Sequence, residues 1–310
     1  MKDLGKTKFC LGLQVEHLND GILLHQTTYT SNLLRKFYMD KSHPLSTPMV
    51  GRSLDVAKDP FRPLEEGEEV LGPEVPYLSA IGGLLYLANY TRPDIAFSVN
   101  LLARYSASPT KRHWAGVKHL LRYLQGSIDL GLFYKKGASP ELIGYADAGF
   151  RSDPHSEKSQ SVFVFTFGGT AISWKSVKKT MVTTPSTHAE LLAIFEASKE
   201  CSWLRSMIQH ILNSTGLKPG VLAPTTLFED NAACIAQLED GYIKGDKMKH
   251  ISPKFFWTHD LQKQKQVAVQ KIQSCDNLAD LFTKSLPACT FKKLVLGICM
   301  KRVKVCKLGQ

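Results

Sequence analysis

The chain has no long apolar run, no Cys-x-x-Cys pair, no internal repeat and no low-complexity tract. A membrane-spanning helix needs about 20 consecutive predominantly apolar residues, so the first absence argues against one. The opening residues, MKDLGKTKFC, also lack the continuous apolar stretch of a secretory signal. Seven scattered cysteines (Cys10, Cys201, Cys234, Cys275, Cys289, Cys299 and Cys306) are odd in number. They read as reduced, mostly buried thiols and not as a disulfide framework or a zinc site. These features lead us to expect an intracellular protein of the cytoplasm or nucleus. A hydrophobic fraction of 43% with 22% charged residues excludes a disordered chain, and 310 residues suffice for two domains.

What is present in excess is positive charge. Lys and Arg outnumber Asp and Glu by 39 to 28, a formal net charge of +11. Residues 1–139 carry 17 basic against 13 acidic side chains and residues 140–310 carry 22 against 15, so both parts share the excess. Such a surface suits a polyanion such as nucleic acid.

Residues 8–26 predict two strands around Asn19-Asp20-Gly21, a strong hairpin signal. A short helix over Tyr29–Tyr38 follows. Residues 41–76 carry six prolines and the acids Glu65, Glu66, Glu68 and Glu69 with no sustained period, which reads as a surface loop or linker. YLSAIGGLLYLANY, then DIAFSVNLLARYS after Pro93, then KRHWAGVKHLLRYLQG predict three helices. In the third, Trp114, Val117, Leu121 and Leu124 share one face, while Lys111, Arg112, Lys118, His119 and Arg122 occupy the rest. That basic remainder is either a solvated face or one that tracks phosphates. From Leu142 the pattern becomes three strands, a long helix over about Thr187–Leu212, a strand, a helix, a lysine-rich loop with Lys244, Lys247 and Lys249, a helix, a fifth strand and a last helix ending near Thr283. This order predicts an α/β fold, a mixed sheet with flanking helices.

Four acids lie where strands hand over to helices or in first helical turns: Asp147, Glu190, Asp230 and Asp280. Each alone has a structural explanation. Thr187 and Glu190 have capping-box spacing, and Asp230 could cap the helix it precedes. Four carboxylates brought to one sheet end would repel strongly and imply bound cations. With oxygen ligands only, those cations would be Mg2+, with Mn2+ the alternative.

The surroundings of these acids are GYADAGF, STHAELLAI, FEDNAAC and NLADLFTK. In this order they resemble the ribonuclease H that closes the Pol polyprotein of Ty1/copia-type retrotransposons. KHISPKFFWTHDLQ resembles a further segment of that domain. FCLGLQVE, YLSAIGGLLYLANYTRPDIAFSVNLLARY and HWAGVKHLLRYLQG resemble the end of the same element's reverse transcriptase. Two family acids are replaced, at Gly149 and His188, but the positions matching the catalytic acids are kept. The absence of any Asp-Asp pair removes the polymerase motif, and with it polymerase activity.

The resemblance implies a reverse-transcriptase thumb or connection remnant of α+β type over 1–137, a ribonuclease H-like five-stranded domain over 138–290 and a basic tail over 291–310. It implies metal-dependent endonucleolytic cleavage of the RNA strand of RNA–DNA hybrids. Asp147 would bridge two ions, Glu190 and Asp230 would complete one site, and Asp280 the other. Lys111, Arg112, Lys118, Arg122, Lys247 and Lys249 are the expected nucleic-acid contacts. His250 and His259 are weighed as proton carriers against packing roles, which the residues favour. The alternatives are a catalytically inactive nucleic-acid-binding relic and a non-enzymatic interaction module.

Overall fold

A two-residue loop, Asn19–Asp20, closes the first hairpin, because Leu18 pairs with Gly21. In the computed structural model, which describes residues 5–52, 55–180, 186–216, 223–241 and 252–308, this hairpin is formed by β2 (Leu13–Leu18) and β3 (Gly21–His25). Gly21 is required there: a Cβ at this position would meet the Tyr134 carbonyl and the Phe133 ring on the neighbouring strand. The described residues cluster into two compact units. The first comprises Met1–Ser139, Gly168–Ala171 and Lys284–Gln310, the second Pro140–Phe167 and Ile172–Thr283.

In the first unit the hairpin extends into an antiparallel sheet of order β1-β2-β3-β4-β10, with β1 at Phe9–Cys10, β4 at Leu130–Lys135 and β10 at Met300–Arg302. The helices are α1 (Thr27–Lys36), α2 (Tyr77–Tyr90), α3 (Ala96–Ala103) and α4 (Lys111–Gly126), close to the spans expected. Fully buried Arg92 organises the turn into α3. It donates to both Asp94 carboxylate oxygens at 2.9 and 2.8 Å and to the Ser127 carbonyl and hydroxyl at 2.9 and 2.7 Å. Tyr123 donates to the same Asp94 carboxylate at 2.6 Å. Every charge in this network therefore has its partner inside the core, the condition under which buried ions are tolerated.

Two expectations are corrected in this unit. The described residues of 41–76 form no helix or strand, as a surface loop should, but they are no free linker, because they pack along α4. Arg52 holds fully buried Asp59 with bonds of 3.0 and 2.7 Å, and Phe61 is buried close to Gly116 of α4. Residues 291–310 are not a tail. Helix α8 (Ala288–Gly297) buries Phe291, Leu294 and Val295, and β10 pairs with β4 before the short α9 (Val303–Leu308).

The second unit has the expected mixed five-stranded sheet with flanking helices, of order β7-β6-β5-β8-β9. Strands β5 (Leu142–Asp153) and β6 (Lys158–Phe167) are antiparallel, β7 is Thr170–Lys178, and β8 (Thr225–Glu229) and β9 (Val267–Lys271) add in parallel. Helix α5 (Ser186–Ser214) packs across β5 and β6, with α6 (Ala232–Asp240) and α7 (Ser252–Lys263) beside it. The core joins Phe163, Phe165, Ile194, Leu227, Phe255 and Val267. The last expected helix is instead a pair of 3-10 turns, Ser274–Asp276 and Leu278–Phe282.

Candidate active site

Small residues bring the first two acids together. Ala148 of β5 packs against Ala189 and Ala193 of α5, a contact with no side-chain bulk to hold helix and strand apart. Glu190 then lies within reach of β5, and its carboxylate accepts the Ala148 backbone N–H. On the other flank of Asp147, the Asn277 side chain donates to the Ala146 carbonyl at 2.9 Å. Asn277 also caps the turn carrying Asp280 by accepting the Ala279 N–H at 3.1 Å. Ser176 fixes the end of that turn by donating to the Phe282 carbonyl at 2.6 Å.

The third acid arrives by strand register. Tyr145 pairs with Phe228 in the parallel β5–β8 ladder, so Asp147 on β5 and Asp230, just past the end of β8, each follow by two residues. Asp230 accepts the Ser274 hydroxyl at 2.6 Å. It does not cap α6, contrary to one reading of the sequence, because Asn231 accepts the Cys234 N–H in that role. Nor is Glu190 half of a capping box, since α5 begins at Ser186 and Thr187 is inside it.

Sequence reasoning passed over a fifth acid, Glu229, the final residue of β8. It is 0% exposed, against 7% for Asp147 and 6% for both Glu190 and Asp280. Alternation along β8 was the available signal, because Thr225, Leu227 and Glu229 share the buried face. Burial, and then Glu229, Asp147 and Asp230 in that order, push the Glu190 carboxyl up to about 10. Burial first and Asp147 next hold Glu229 well above the usual carboxylate range. Lys179, just after β7, donates to the Ala189 carbonyl at 3.0 Å. Burial pushes its amine down to about 7 against the opposing pull of Glu190 and Glu196.

An oxygen-only donor set suits Mg2+ or Mn2+. The Oε2 atoms of Glu190 and Glu229 are buried with no hydrogen-bond partner, and a cation would satisfy them. As the side chains stand, no group of three or more His, Cys, Asp and Glu among the described residues is closed to metal-holding geometry. Mutual repulsion of carboxylates opposes such closure.

These shifts set a pH dependence. An acid that keeps its proton in the folded state and loses it when unfolded destabilises the fold as pH rises from its unfolded pKa toward its folded one. With EDTA present, the unfolding temperature of the second unit should therefore fall by a few degrees per pH unit from about pH 5 to 9. Glu190→Gln should flatten the slope, and a circular-dichroism melt series would record both. An unchanged slope in the variant would refute the assignment of the burden to Glu190.

Of the expected nucleic-acid contacts, Arg112 pairs with Glu65 and Glu68, and Arg122 donates to the His43 carbonyl at 2.8 Å. His119 bonds the Thr47 carbonyl at 3.0 Å. The acidic stretch between the hairpin and α2 thus covers much of the basic face of α4. Lys111 and Lys118 remain exposed, Lys111 beside an equally exposed Glu69 at 3.3 Å. Lys244, Lys247, Lys249 and His250 lie outside the described residues. His259 takes the packing role: its Nδ1 bonds the Leu238 carbonyl at 2.8 Å and its ring stacks on Phe255.

No family model matches the chain. It is 34% identical over 295 residues to the retrovirus-related Pol polyprotein from transposon TNT 1-94 of Nicotiana tabacum, covering 94% of this chain and 21% of that one. It is 31% identical over 284 residues to the Pol polyprotein from transposon RE2 of Arabidopsis thaliana, covering 92% and 18%. The chain thus spans about a fifth of the length of these relatives. Among solved structures, LC11 ribonuclease H1 in complex with an RNA/DNA hybrid aligns with a TM-score of 0.34 and 18% identity, over 46% of this chain and 94% of that one. Matched along nearly its whole length, the chain belongs to the Ty1/copia-type retrotransposon Pol polyproteins and corresponds to a C-terminal part of them.

Proposed function

We propose that this protein is an endonuclease of ribonuclease H type, cleaving the RNA strand of RNA–DNA hybrids with two divalent ions, Mg2+ or Mn2+. The observation that carries the reading is the bracketing of Asp147. The residue before it is bonded by Asn277 of the Asp280 turn, and the residue after it by Glu190. Asp147 would hold both ions, Glu190 and Asp230 one of them, and Asp280 the other. Two bound ions would supply an activated water and charge stabilisation at the leaving oxygen. The protein's own contribution is to orient the carboxylates: Asn277 and Ser176 fix the Asp280 turn, Ser274 holds Asp230, and the Ala148 N–H aligns Glu190. Hybrid recognition would rest on backbone shape and 2′-hydroxyl groups. Exposed Lys111 and Lys118 are the phosphate contacts we retain on α4. An intracellular location follows from this reading.

The test is a hybrid labelled on one strand at a time, incubated with purified protein and Mg2+, Mn2+ or EDTA. Cuts in the RNA strand alone, and only with the metal, are expected. Equal cutting of both strands would overturn the proposed specificity. One observation favours the inactive relic as a second reading, namely that no metal-holding group is closed among the described residues. Hybrid binding with no cleavage under either metal would establish it.

A further inference from the structure

The turn that carries Asp280 is pinned to the sheet at both ends. At its start, buried Asn277 donates to the Ala146 carbonyl on β5 at 2.9 Å. At its end, the Ser176 hydroxyl on β7 donates to the Phe282 carbonyl at 2.6 Å. A serine hydroxyl has one proton, so with that proton committed Ser176 can only accept a further bond. Gln160 on β6 supplies it, its side-chain Nε2 donating to Ser176 Oγ at 2.9 Å. Gln160 is 0% exposed and Ser176 3%, so neither can turn to bulk water instead. Strand register places Gln160 opposite Gly149, two residues beyond the Asp147–Val162 pair, and hence on the sheet face that carries Asp147. A Cβ at position 149 would lie 3.3 Å from the Gln160 Cβ and 2.9 Å from the Ser152 Cβ, so the glycine leaves the glutamine its space.

We infer that Gln160 is a positioning residue for Asp280, acting through Ser176. This rests on the reading of Asp280 as a working acid of the site above. The chain from Gln160 through Ser176 to Phe282 sets the direction of a single proton. Without the amide donor the hydroxyl can rotate, and a Ser176 lone pair is left buried and unmet. The Phe282 carbonyl then loses its fixed partner, two residues from Asp280. The turn has little of its own to resist the movement. Its flanking backbone bonds, Asp280 N–H to the Asn277 carbonyl and Thr283 N–H to the Asp280 carbonyl, are 3.2 and 3.3 Å long, and 3-10 geometry makes weaker bonds than an α-helix does. An apolar side chain at position 160 would serve burial equally well, so the amide is explained by what it donates to.

Three variants of the full chain test this: Gln160→Met, close in size but without the donor, Ser176→Ala, and the two together. Amide hydrogen exchange over residues 277–283 is measured on each, with kcat and KM for hybrid cleavage. Gln160→Met should speed exchange in that segment while the rest of the sheet stays protected. It should lower kcat by roughly tenfold, the scale on which groups that orient an active site act, with KM little changed. The double variant should be no worse than Ser176→Ala alone, because both changes remove the same link. Parent-like exchange and kcat in Gln160→Met would overturn the inference. Losses that multiply in the double variant would do the same, making Gln160 a packing residue independent of Ser176. Exchange rising equally across the whole sheet would assign Gln160 to overall stability and also overturn it. A parent that cuts no hybrid under either metal sinks the cleavage reading instead. In that case faster exchange confined to 277–283 in Gln160→Met would still support its hold on the Asp280 turn, and unchanged exchange would remove it.

Discussion

Asp147→Asn should reduce hybrid cleavage by at least about a hundredfold to a thousandfold, the loss expected when one element of transition-state charge stabilisation is removed. The substitution exchanges one carboxylate oxygen for an amide nitrogen with almost no change in volume. It leaves in place the bonds that Ala146 and Ala148 make with Asn277 and Glu190 through the backbone. The fold should therefore be retained, and hybrid affinity should be similar or tighter because one negative charge is gone from a site that faces phosphate. The contrasting variant is Lys118→Ala, which should weaken binding and reduce the salt dependence by about 0.7–0.9 if the amine contacts one phosphate. Single-turnover cleavage rates, with fluorescence anisotropy for affinity, separate the two effects. Parent-like cleavage by Asp147→Asn would remove this aspartate from the mechanism.

The second large effect lies in the first unit. Arg92→Ala should cost about 3–5 kcal/mol, the range for breaking a buried ion pair by deleting one partner. The reason is what remains: Asp94 keeps only the Tyr123 hydroxyl, and the Ser127 carbonyl loses its guanidinium donor. For a unit of this size the unfolding temperature should fall by about 6–20 °C. Arg92→Ala together with Asp94→Ala should recover part of the loss, because the double change leaves no uncompensated charge. A calorimetric scan in which Arg92→Ala melts within a degree or two of the parent would contradict the description of the network.

These residues also show where sequence was legible. The hairpin around Asn19–Asp20, the α4 stripe of Val117, Leu121 and Leu124, and the strand order of the second unit are local signals, written in turn chemistry and periodicity. Segment 41–76 carried none, because what holds it is non-local: Asp59 against Arg52, Phe61 close to Gly116, and backbone carbonyls capturing His119 and Arg122. Strand β10 pairs with β4 across most of the chain, which three residues of sequence cannot announce. At the site, Asp147, Glu190, Asp230 and Asp280 stood out because the sequence placed them at element ends, although β5 continues past Asp147 to Asp153 and holds it mid-strand. Glu229 did not, because an acid at the end of TTLFE reads as a solvent-facing terminus until the burial of β8 is known. Asn277 was equally silent, since its importance lies in one bond to the Ala146 carbonyl.

We propose that the carboxylates of the second unit assemble a divalent-metal centre. Anomalous scattering from Mn2+-soaked crystals of the full chain tests it most directly. Two peaks about 3.5–4 Å apart are expected, bounded by Asp147, Glu190, Asp230 and Asp280. Saturating Mn2+ that gives no peak among these four side chains, in crystals where they are well ordered, would contradict it.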